Sequence, residues 1–246
     1  MNEVIRQLYA RKSVRVFTDQ PIEESIVQTI LKAATMAPTA GNQQLYTIIR
    51  VNDPTLLNRL ADTCDHQPFI AKGKLVLVFC ADCLKWYDAF THVGCSPRLP
   101  GPGDLLLAVD DALIAAQNAV IAAESLGIGS CYIGDIMENI ETQREILSLP
   151  EYVFPAALLV FGYPTEQQKE RAKPERVDMK YIVHENRYQR MDAEQLADML
   201  KDKAPEGKYE DWMAAFCKRK YNSDFAREMS RSVGQYLKQY STGEEE

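Results

Sequence analysis

A cluster of cations near the amino terminus is the clearest candidate for chemistry in this sequence. The segment Arg11-Lys12-Ser13-Val14-Arg15 places three cationic side chains and one hydroxyl within five residues. Arginine presents a planar fork of donors that matches phosphate oxygens, lysine adds a point charge, and serine adds a short hydroxyl donor. The cluster predicts a site for a small phosphate group. A solvated basic turn after the first helix is the alternative.

The glycine-rich stretch from Gly127 to Gly134 does not by itself predict a nucleotide site. It contains neither G-x-S-x-G nor G-x-x-x-x-G-K-[ST], and its first glycines follow a helix, which is the wrong context for a dinucleotide fingerprint. Taken alone, the stretch indicates a helix C-cap followed by a tight entry into a strand.

Cysteines and histidines give no pattern typical of a metal site. The pair Cys80 and Cys83 forms a lone C-x-x-C, which could be half of a zinc site or a redox pair, but structural thiols are favoured because no second pair is present. The three histidines are far apart in sequence. A phosphate cluster without a reactive side-chain set suggests that a bound cofactor carries the chemistry.

Composition limits the classes of partner. The 246 residues are 46% hydrophobic, enough for a sizeable core, and the net charge of −7 argues against a nucleic-acid or membrane-surface partner. The start does not resemble a signal peptide and no apolar run approaches membrane-spanning length, so we expect a cytoplasmic protein.

The pattern of apolar residues predicts an α+β fold with one main sheet in a single domain over residues 1–246. Predicted strands cover 46–51, 75–79, 131–133 and 156–161, and predicted helices cover 2–10, 21–37, 54–63, 105–126 and 138–147. Two further helices, from 192 and over 223–239, belong to a charged segment and helical extension at 165–240. Residues 84–104, rich in proline and glycine, predict an irregular loop, and 201–211 a mobile segment.

Several of these segments together resemble the nitroreductase family. The resemblance runs over residues 3–240, in the family's order. It is closer to the branch of oxygen-insensitive NADPH nitroreductases and flavin reductases. It rests on residues 11–17, His66-Gln67-Pro68, 78–82, 111–118, 122–129 with 132–134, and Val183-His184-Glu185-Asn186 with Tyr188.

This resemblance implies a nitroreductase-like central mixed sheet flanked by helices and a homodimer with FMN at the subunit interface. It also implies a ping-pong cycle in which NAD(P)H reduces FMN before the acceptor binds. The implied phosphate and ribityl ligands are Arg11, Lys12, Ser13 and Arg15, with Lys173 and Arg176. Thr39 would reach the partner's FMN, and Gln67 would bond the edge of the flavin ring. The backbone of Tyr132, Ile133, Gly134 and Asp135 would face the ring.

Three departures from the family pattern affect these expectations. The chain has Lys173-Pro174-Glu175-Arg176 where close relatives have Lys-Pro-Arg, so either cation could contact the phosphate. Asp135 replaces a second glycine and could crowd the flavin or alter its potential. Residues 201–211 carry lysines among acids where NADPH-using relatives carry arginines, which leaves NADPH and NADH both open.

The resemblance also implies nitroaromatics, quinones or flavins as acceptors. Arg231 matches a family position that faces the substrate pocket, with an exposed helical arginine as the alternative. A free-flavin reductase that supplies reduced FMN is the second possibility. A flavin-binding sensor without turnover is the third.

Overall fold

A computed structural model gives the architecture and describes residues 1–205 and 207–241. In those residues the strands are β1 (Tyr46–Arg50), β2 (Leu75–Asp82), β3 (Gly129–Ile133) and β4 (Val153–Gly162). The helices are α1 (Glu3–Ala10), α2 (Glu24–Thr35), α3 (Pro54–Thr63), α4 (Leu84–His92), α5 (Pro102–Ser125), α6 (Ile140–Leu147), α7 (Glu166–Glu170), α8 (Ala193–Leu200), α9 (Tyr209–Lys220) and α10 (Asp224–Tyr240).

The four strands form one sheet in the order β1-β2-β4-β3, and every pair in it is antiparallel. The α+β prediction is confirmed, but the expected mixed sheet is not observed. Among the described residues the only parallel pairing is an isolated bridge between Ser13 and Ser130. Every residue of β2 and β4 is buried, which explains the continuous apolar runs that resemble parallel strands in sequence.

The sheet separates two apolar layers. Alternate residues of β2 point to opposite faces, so that Leu77 and Phe79 join one layer while Val76 and Val78 join the other. The first layer is filled by α2 and by the alanine-rich face of α5, and the second by residues of α3 and α6. Both layers therefore pack against β3 and β4, the strands nearest the candidate site.

Helix α5 is the core helix of the first layer. Of the described residues, it alone forms a helix with the length and hydropathy of a membrane span. Its inner face, which includes Ala112, Ala116 and Ala119, is fully buried and packs against β2 and β4. The same length and composition are typical of a core helix.

The described chain divides into two compact units. The first comprises residues 1–171 together with the chain from 228 onward, and the second comprises Ala172–Arg227. The sheet and both core layers belong to the first unit. The expectation of a single domain over the whole chain stays a prediction.

Two predicted irregular segments contain helices. The predicted loop at 84–104 was wrong in its first half, where α4 forms, because the helix breakers of that segment begin only at Gly94. In 201–211 a 3₁₀ turn covers Lys201–Lys203 and α9 begins at Tyr209, while Glu206 lies outside the described residues. Helix α9 buries no residue, yet its apolar side chains recur at helical spacing at Tyr209, Trp212, Met213 and Phe216, a pattern by which the sequence could have predicted it.

All six cysteines are free thiols. Cys80 belongs to the second apolar layer and Cys83 to the first, so the C-x-x-C pair is divided between the two faces of the sheet. Burial raises the pKa of Cys64, Cys80 and Cys83 to about 12. Only Cys95 and Cys217 are exposed.

Replacing Gly129 with alanine should destabilise the fold. An added Cβ would lie 2.5 Å from Val14 Cγ2, and Val14 is buried, so the two segments would have to separate. We expect a loss of about 1–3 kcal/mol in the free energy of unfolding, measured by chemical denaturation.

Gly103→Ala is the matched control for this substitution. An added Cβ on Gly103, in the first turn of α5, meets no atom within 4 Å, so no loss of stability is expected. Equal effects of the two substitutions would show that the approach of Val14 to Gly129 does not limit stability.

Candidate functional site

The cationic segment lies in extended conformation beside β3. Val14 N–H donates to the carbonyl of Ser130 at 2.9 Å, and Ser13 pairs with Ser130 as an isolated parallel bridge. Because Gly129 has no side chain, Val14 can pack directly against the start of β3. The pairing holds the residues on either side of Val14 in a fixed register along β3.

Arg11, Ser13 and Arg15 share the side of the segment that faces Cys131. Burial raises the pKa of the Cys131 thiol, while the charge and hydrogen bond of Arg15, a hydrogen bond of Ser13 and the charge of Arg11 act against that rise. The charge of Arg11 likewise opposes the effect of burial on Tyr132, whose pKa is raised to about 12. Two arginines and one hydroxyl therefore converge on the middle of β3.

The arrangement fits a phosphate group. Arg11 Nη1 is buried and has no hydrogen-bond partner among the described residues. A buried donor without a partner is destabilising unless a ligand satisfies it. A phosphate dianion would accept from this donor and from the neighbouring hydroxyl and arginine, so the residues present fit the phosphate end of FMN.

Lys12 points elsewhere. Its ammonium group donates to the carbonyl of Lys169 at 2.6 Å and to the carbonyl of Arg171. The expectation that Lys12 holds the phosphate stays a prediction, and the observed contacts are with backbone. Sequence analysis did not single out Arg171, which donates to the Ser13 carbonyl, or Gln168, which accepts from Arg15 N–H, because neither belongs to a recognisable motif.

Thr39 is fixed by a buried carboxylate. Its hydroxyl donates to Asp111, which is 4% exposed on α5, and Asp111 also accepts from the N–H groups of Ala40 and Leu45, each at 3.1 Å. The Thr39 oxygen in turn accepts from Gln44 N–H at 2.7 Å. The loop that should reach a partner's cofactor is thus anchored to the core helix. The sequence offered one signal for the role of Asp111, namely an acidic residue within the apolar run of α5.

Gln67 lies in a tight turn after α3. Its amide donates to the Cys64 carbonyl at 2.9 Å, and the preceding Asp65 and His66 have left-handed backbone with φ of +57° and +50°. Asp65 and Asp135 both act on the pKa of Glu138, so this turn lies near the segment that follows β3. The turn and Asp135 therefore lie together at the carboxyl end of β3.

The predicted flavin-facing residues occupy the end of β3 and the turn after it. Ile133 is buried, Gly134 is exposed, and Asp135 begins a 3₁₀ turn that ends at Met137. Tyr132 donates its hydroxyl hydrogen to Gln117 at 3.2 Å, which ties β3 to α5. The candidate site thus follows β3, with cations along its middle and carboxylates beyond its end.

Lys173 and Arg176 belong to the second unit. In that unit the carbonyl of Glu175, between them, accepts from the Lys203 ammonium at 2.8 Å. Their contribution to cofactor binding stays a prediction.

Arg231 is exposed but fully engaged with carboxylates. Its guanidinium donates to both oxygens of Glu141 at 2.9 Å and to both oxygens of Glu228 at 2.7 and 2.8 Å. These hydrogen bonds, first to Glu228 and then to Glu141, raise the pKa of Arg231. Neither of the two expectations, a substrate ligand or a solvated arginine, includes this double ion pair.

Glu138 is a buried carboxyl with a raised pKa near the end of β3. It is 5% exposed, and its Oε1 is buried without a hydrogen-bond partner among the described residues. Burial, and after it the charges of Asp135, Asp65 and Glu228, raise the pKa of Glu138 to about 7. The side chain therefore holds its proton up to near-neutral pH.

Comparison with known proteins identifies the family. The Nitroreductase family profile matches residues 8–163. The match covers more than half of the chain, and the chain therefore belongs to the Nitroreductase family.

Within the family, the chain is similar to reductases of flavins and nitro compounds. It is 31% identical over 238 residues to FMN reductase (NAD(P)H) of Bacillus subtilis (strain 168), covering 96% of this chain and 91% of the relative. It is 33% identical over 197 residues to the oxygen-insensitive NADPH nitroreductase of Salmonella typhimurium (strain LT2), covering 80% and 79%. The solved structure of the NADPH:FMN oxidoreductase from Vibrio harveyi complexed with NAD+ matches with a TM-score of 0.80 and 27% identity, covering 96% and 98%.

Glu138→Gln should remove a pH dependence of stability. From the ordinary value of 4.5 up to about 7, the unfolded chain has lost the Glu138 proton while the folded chain retains it, so the free energy of unfolding falls as pH rises through this window. Glutamine cannot ionise, so the variant should lack this fall. Urea denaturation at a series of pH values from about 4 to about 8.5, which extends beyond both ends of this window, measures the slope.

Glu145→Gln serves as the control for Glu138→Gln. Glu145 is an exposed glutamate of α6 that pairs with Arg59 at 2.8 Å, and its replacement should leave the wild-type slope in place. If Glu138→Gln retained that slope as well, the buried carboxyl would not be the source of the pH dependence.

Proposed function

We propose that this chain is an FMN-dependent NAD(P)H oxidoreductase that reduces nitroaromatics, quinones or flavins in a ping-pong cycle. The observation that carries the proposal is the buried Arg11 donor, which has no hydrogen-bond partner within residues 1–205 and 207–241 and lies near Ser13 and Arg15 beside β3, in a chain of the Nitroreductase family. When bound, FMN supplies the chemistry, since it accepts hydride from NAD(P)H and passes electrons to the acceptor. The chain supplies binding, orientation and electrostatics.

Each segment around β3 has a proposed role in holding FMN. Arg11, Ser13 and Arg15 hold the phosphate, and Lys173 or Arg176 adds a cation. The Gln67 amide, whose hydrogen bond to Cys64 O fixes the side chain, presents its oxygen to the edge of the ring. The backbone from Tyr132 to Asp135 lines the ring. Arg231, held by Glu141 and Glu228, is a proposed substrate-binding residue whose charge is already balanced.

We also propose that the chain acts as a homodimer. Helix α1 packs along α5, and the outer surfaces of both helices expose large apolar side chains. These are Val4, Ile5, Leu8, Leu106, Leu107, Leu113 and Ile114. Exposed apolar side chains on two packed helices favour a protein interface, and in the proposed dimer Thr39 of one subunit contributes to the FMN site of the other. Sedimentation equilibrium should give twice the mass of 27.9 kDa.

A free-flavin reductase is the second candidate, supported by two Bacillus subtilis relatives named as FMN reductases. Such an enzyme releases reduced flavin for use elsewhere. Turnover with FMN as acceptor, compared with turnover of a nitroaromatic, separates the two functions.

A cytoplasmic location is proposed as well, supported by six cysteines that are all free.

We propose that both NADH and NADPH serve as donors. Of the lysines in 201–211, Lys201 pairs with Asp198 at 2.8 Å and Lys203 donates to the Glu175 carbonyl. The carboxylate beside Lys201 opposes the attraction of that lysine for a 2′-phosphate, and lysine lacks the planar fork by which arginine binds phosphate. The segment therefore offers weaker discrimination between the two nicotinamide dinucleotides than a pair of unpaired arginines would.

An anaerobic titration followed by flavin absorbance tests the function and the donor together. Purified protein should be yellow, and either NADH or NADPH should bleach it. Colourless protein that takes up no added FMN would rule out the proposed function. Flavin that binds but is reduced by neither donor would indicate a sensor without turnover.

Arg15→Ala should weaken FMN retention far more than Cys80→Ala. Arg15 lies on the side of its segment that faces Cys131, where the phosphate is proposed to bind, whereas Cys80 is buried within the sheet. Loss of one charge-assisted hydrogen bond should raise the Kd for FMN by roughly tenfold to a hundredfold, measured by fluorescence quenching during titration. Equal Kd values in the two variants would argue against the phosphate assignment.

A further inference from the structure

The residues just after β4 contact the cationic segment through a set of hydrogen bonds outside the proposed phosphate site. Lys12 Nζ donates to the carbonyls of Lys169 and Arg171, at the carboxyl end of the short helix α7. Arg171 Nη2 donates back to the Ser13 carbonyl at 2.5 Å. The side-chain oxygen of Gln168 accepts from Arg15 N–H at 3.3 Å. We call this set of contacts the clasp.

The clasp and the phosphate site use alternate residues of one extended segment. Side chains alternate sides along an extended backbone, so Arg11, Ser13 and Arg15 face Cys131 while Lys12 faces residues 169–171. Two of the three donors of the Lys12 ammonium are occupied by carbonyls. Lys12 is therefore committed to protein contacts in the absence of any ligand.

The clasp acts on the groups that a phosphate would need. Arg171 binds the carbonyl of Ser13, and Gln168 binds the N–H of Arg15, so both fix the backbone from which the phosphate-facing side chains project. A site that is ordered before the ligand arrives loses less conformational entropy on binding. The clasp thus fixes the backbone of Ser13 and Arg15 without using the side-chain donors of either residue.

We infer that Lys12 and Arg171 are positioning residues, which preorganise the phosphate site through the clasp without contacting the cofactor. The inference rests on the proposed function for the identity of the phosphate. The clasp itself consists of contacts within the protein, so it contributes to the stability of the FMN-free chain. The buried Arg11 donor, for which the described part of the chain offers no hydrogen-bond partner, makes no such contribution.

A positioning residue should affect the Tm of the FMN-free protein as well as the Kd for FMN, whereas a direct phosphate ligand should affect the Kd alone. Both quantities are measured on the full-length protein. Lys12→Met should lower the Tm of the FMN-free protein by about 2–6 °C and raise the Kd for FMN about tenfold. Arg11→Met should leave the FMN-free Tm unchanged or raised, and should weaken FMN at least as much, by about tenfold or more. Lys12→Arg should restore both Tm and Kd, since arginine can donate to the same carbonyls.

Lys169→Met is the matched control. The Lys169 side chain lies in the same region and carries the same charge, but its one ion pair with the described residues is an exposed pair with Glu166 at 2.6 Å. Neither the Tm nor the Kd for FMN should change measurably.

A second substitution keeps the test decisive if Lys12→Met fails to fold. Arg171→Gln removes the hydrogen bond from Arg171 to the Ser13 carbonyl, and it should lower the FMN-free Tm and raise the Kd for FMN as Lys12→Met does. If both the Lys12 and the Arg171 variants kept the wild-type FMN-free Tm while losing FMN affinity, the two side chains would be direct phosphate ligands and the inference would be overturned.

The Tm of the FMN-free chain also separates this inference from the proposed function. Wild-type protein that binds no FMN would refute the function, yet a lower Tm in Lys12→Met than in Lys169→Met would still support the clasp. Wild-type protein that binds FMN, together with equal Tm values for Lys12→Met and Lys169→Met, would refute the clasp and leave the function standing.

Discussion

The pairing of residues 11–15 with β3 is the interaction on which the candidate site depends. It is held by one backbone hydrogen bond, from Val14 to Ser130, and by the absence of a side chain at Gly129. Each segment also has an anchor of its own, since β3 pairs with β4 while the cationic segment is hydrogen-bonded to residues 168–171. A cation cluster that would be an ordinary basic turn in isolation thereby gains a fixed register along a core strand.

Charge is distributed unevenly along β3. Arginines converge on Cys131 and Tyr132 in its middle, whereas Asp135, Asp65 and Glu138 gather just beyond its end. The chain carries 28 lysines and arginines against 35 aspartates and glutamates, so acidic side chains are in excess overall. Within the candidate site, the positive end suits a phosphate, and the carboxylates lie with the residues proposed to line the flavin ring.

The sequence predicted the parts of the structure that depend on local pattern. Strands β2 and β4 and helix α5 were found because their apolar runs are long, and the cation cluster was found because it is dense. Residue type gives no direction, so the sequence could not show that the Lys12 ammonium contacts carbonyls more than 150 residues further along the chain. Arg231 posed the same difficulty, since Glu141 approaches it from another helix 90 residues away.

Structural support for the site was harder to predict than the site itself. Asp111 is one acid in a buried helix, and only the fold shows that it anchors Thr39, Ala40 and Leu45 at once. Arg171 and Gln168 lie in a charged stretch that resembles ordinary surface. These roles depend on hydrogen bonds between segments that are far apart in the sequence, and the local spacing of residues does not show such contacts.

The distribution of the thiols limits how the protein reacts with electrophiles. Quinones alkylate thiolates, and a thiol with a pKa of about 12 provides almost none near neutral pH. Cys64, Cys80 and Cys83 are in this state, and the burial of Cys131 protects it in the same direction. Covalent damage by a reactive electron acceptor is therefore confined to Cys95 and Cys217 on the surface, away from both apolar layers.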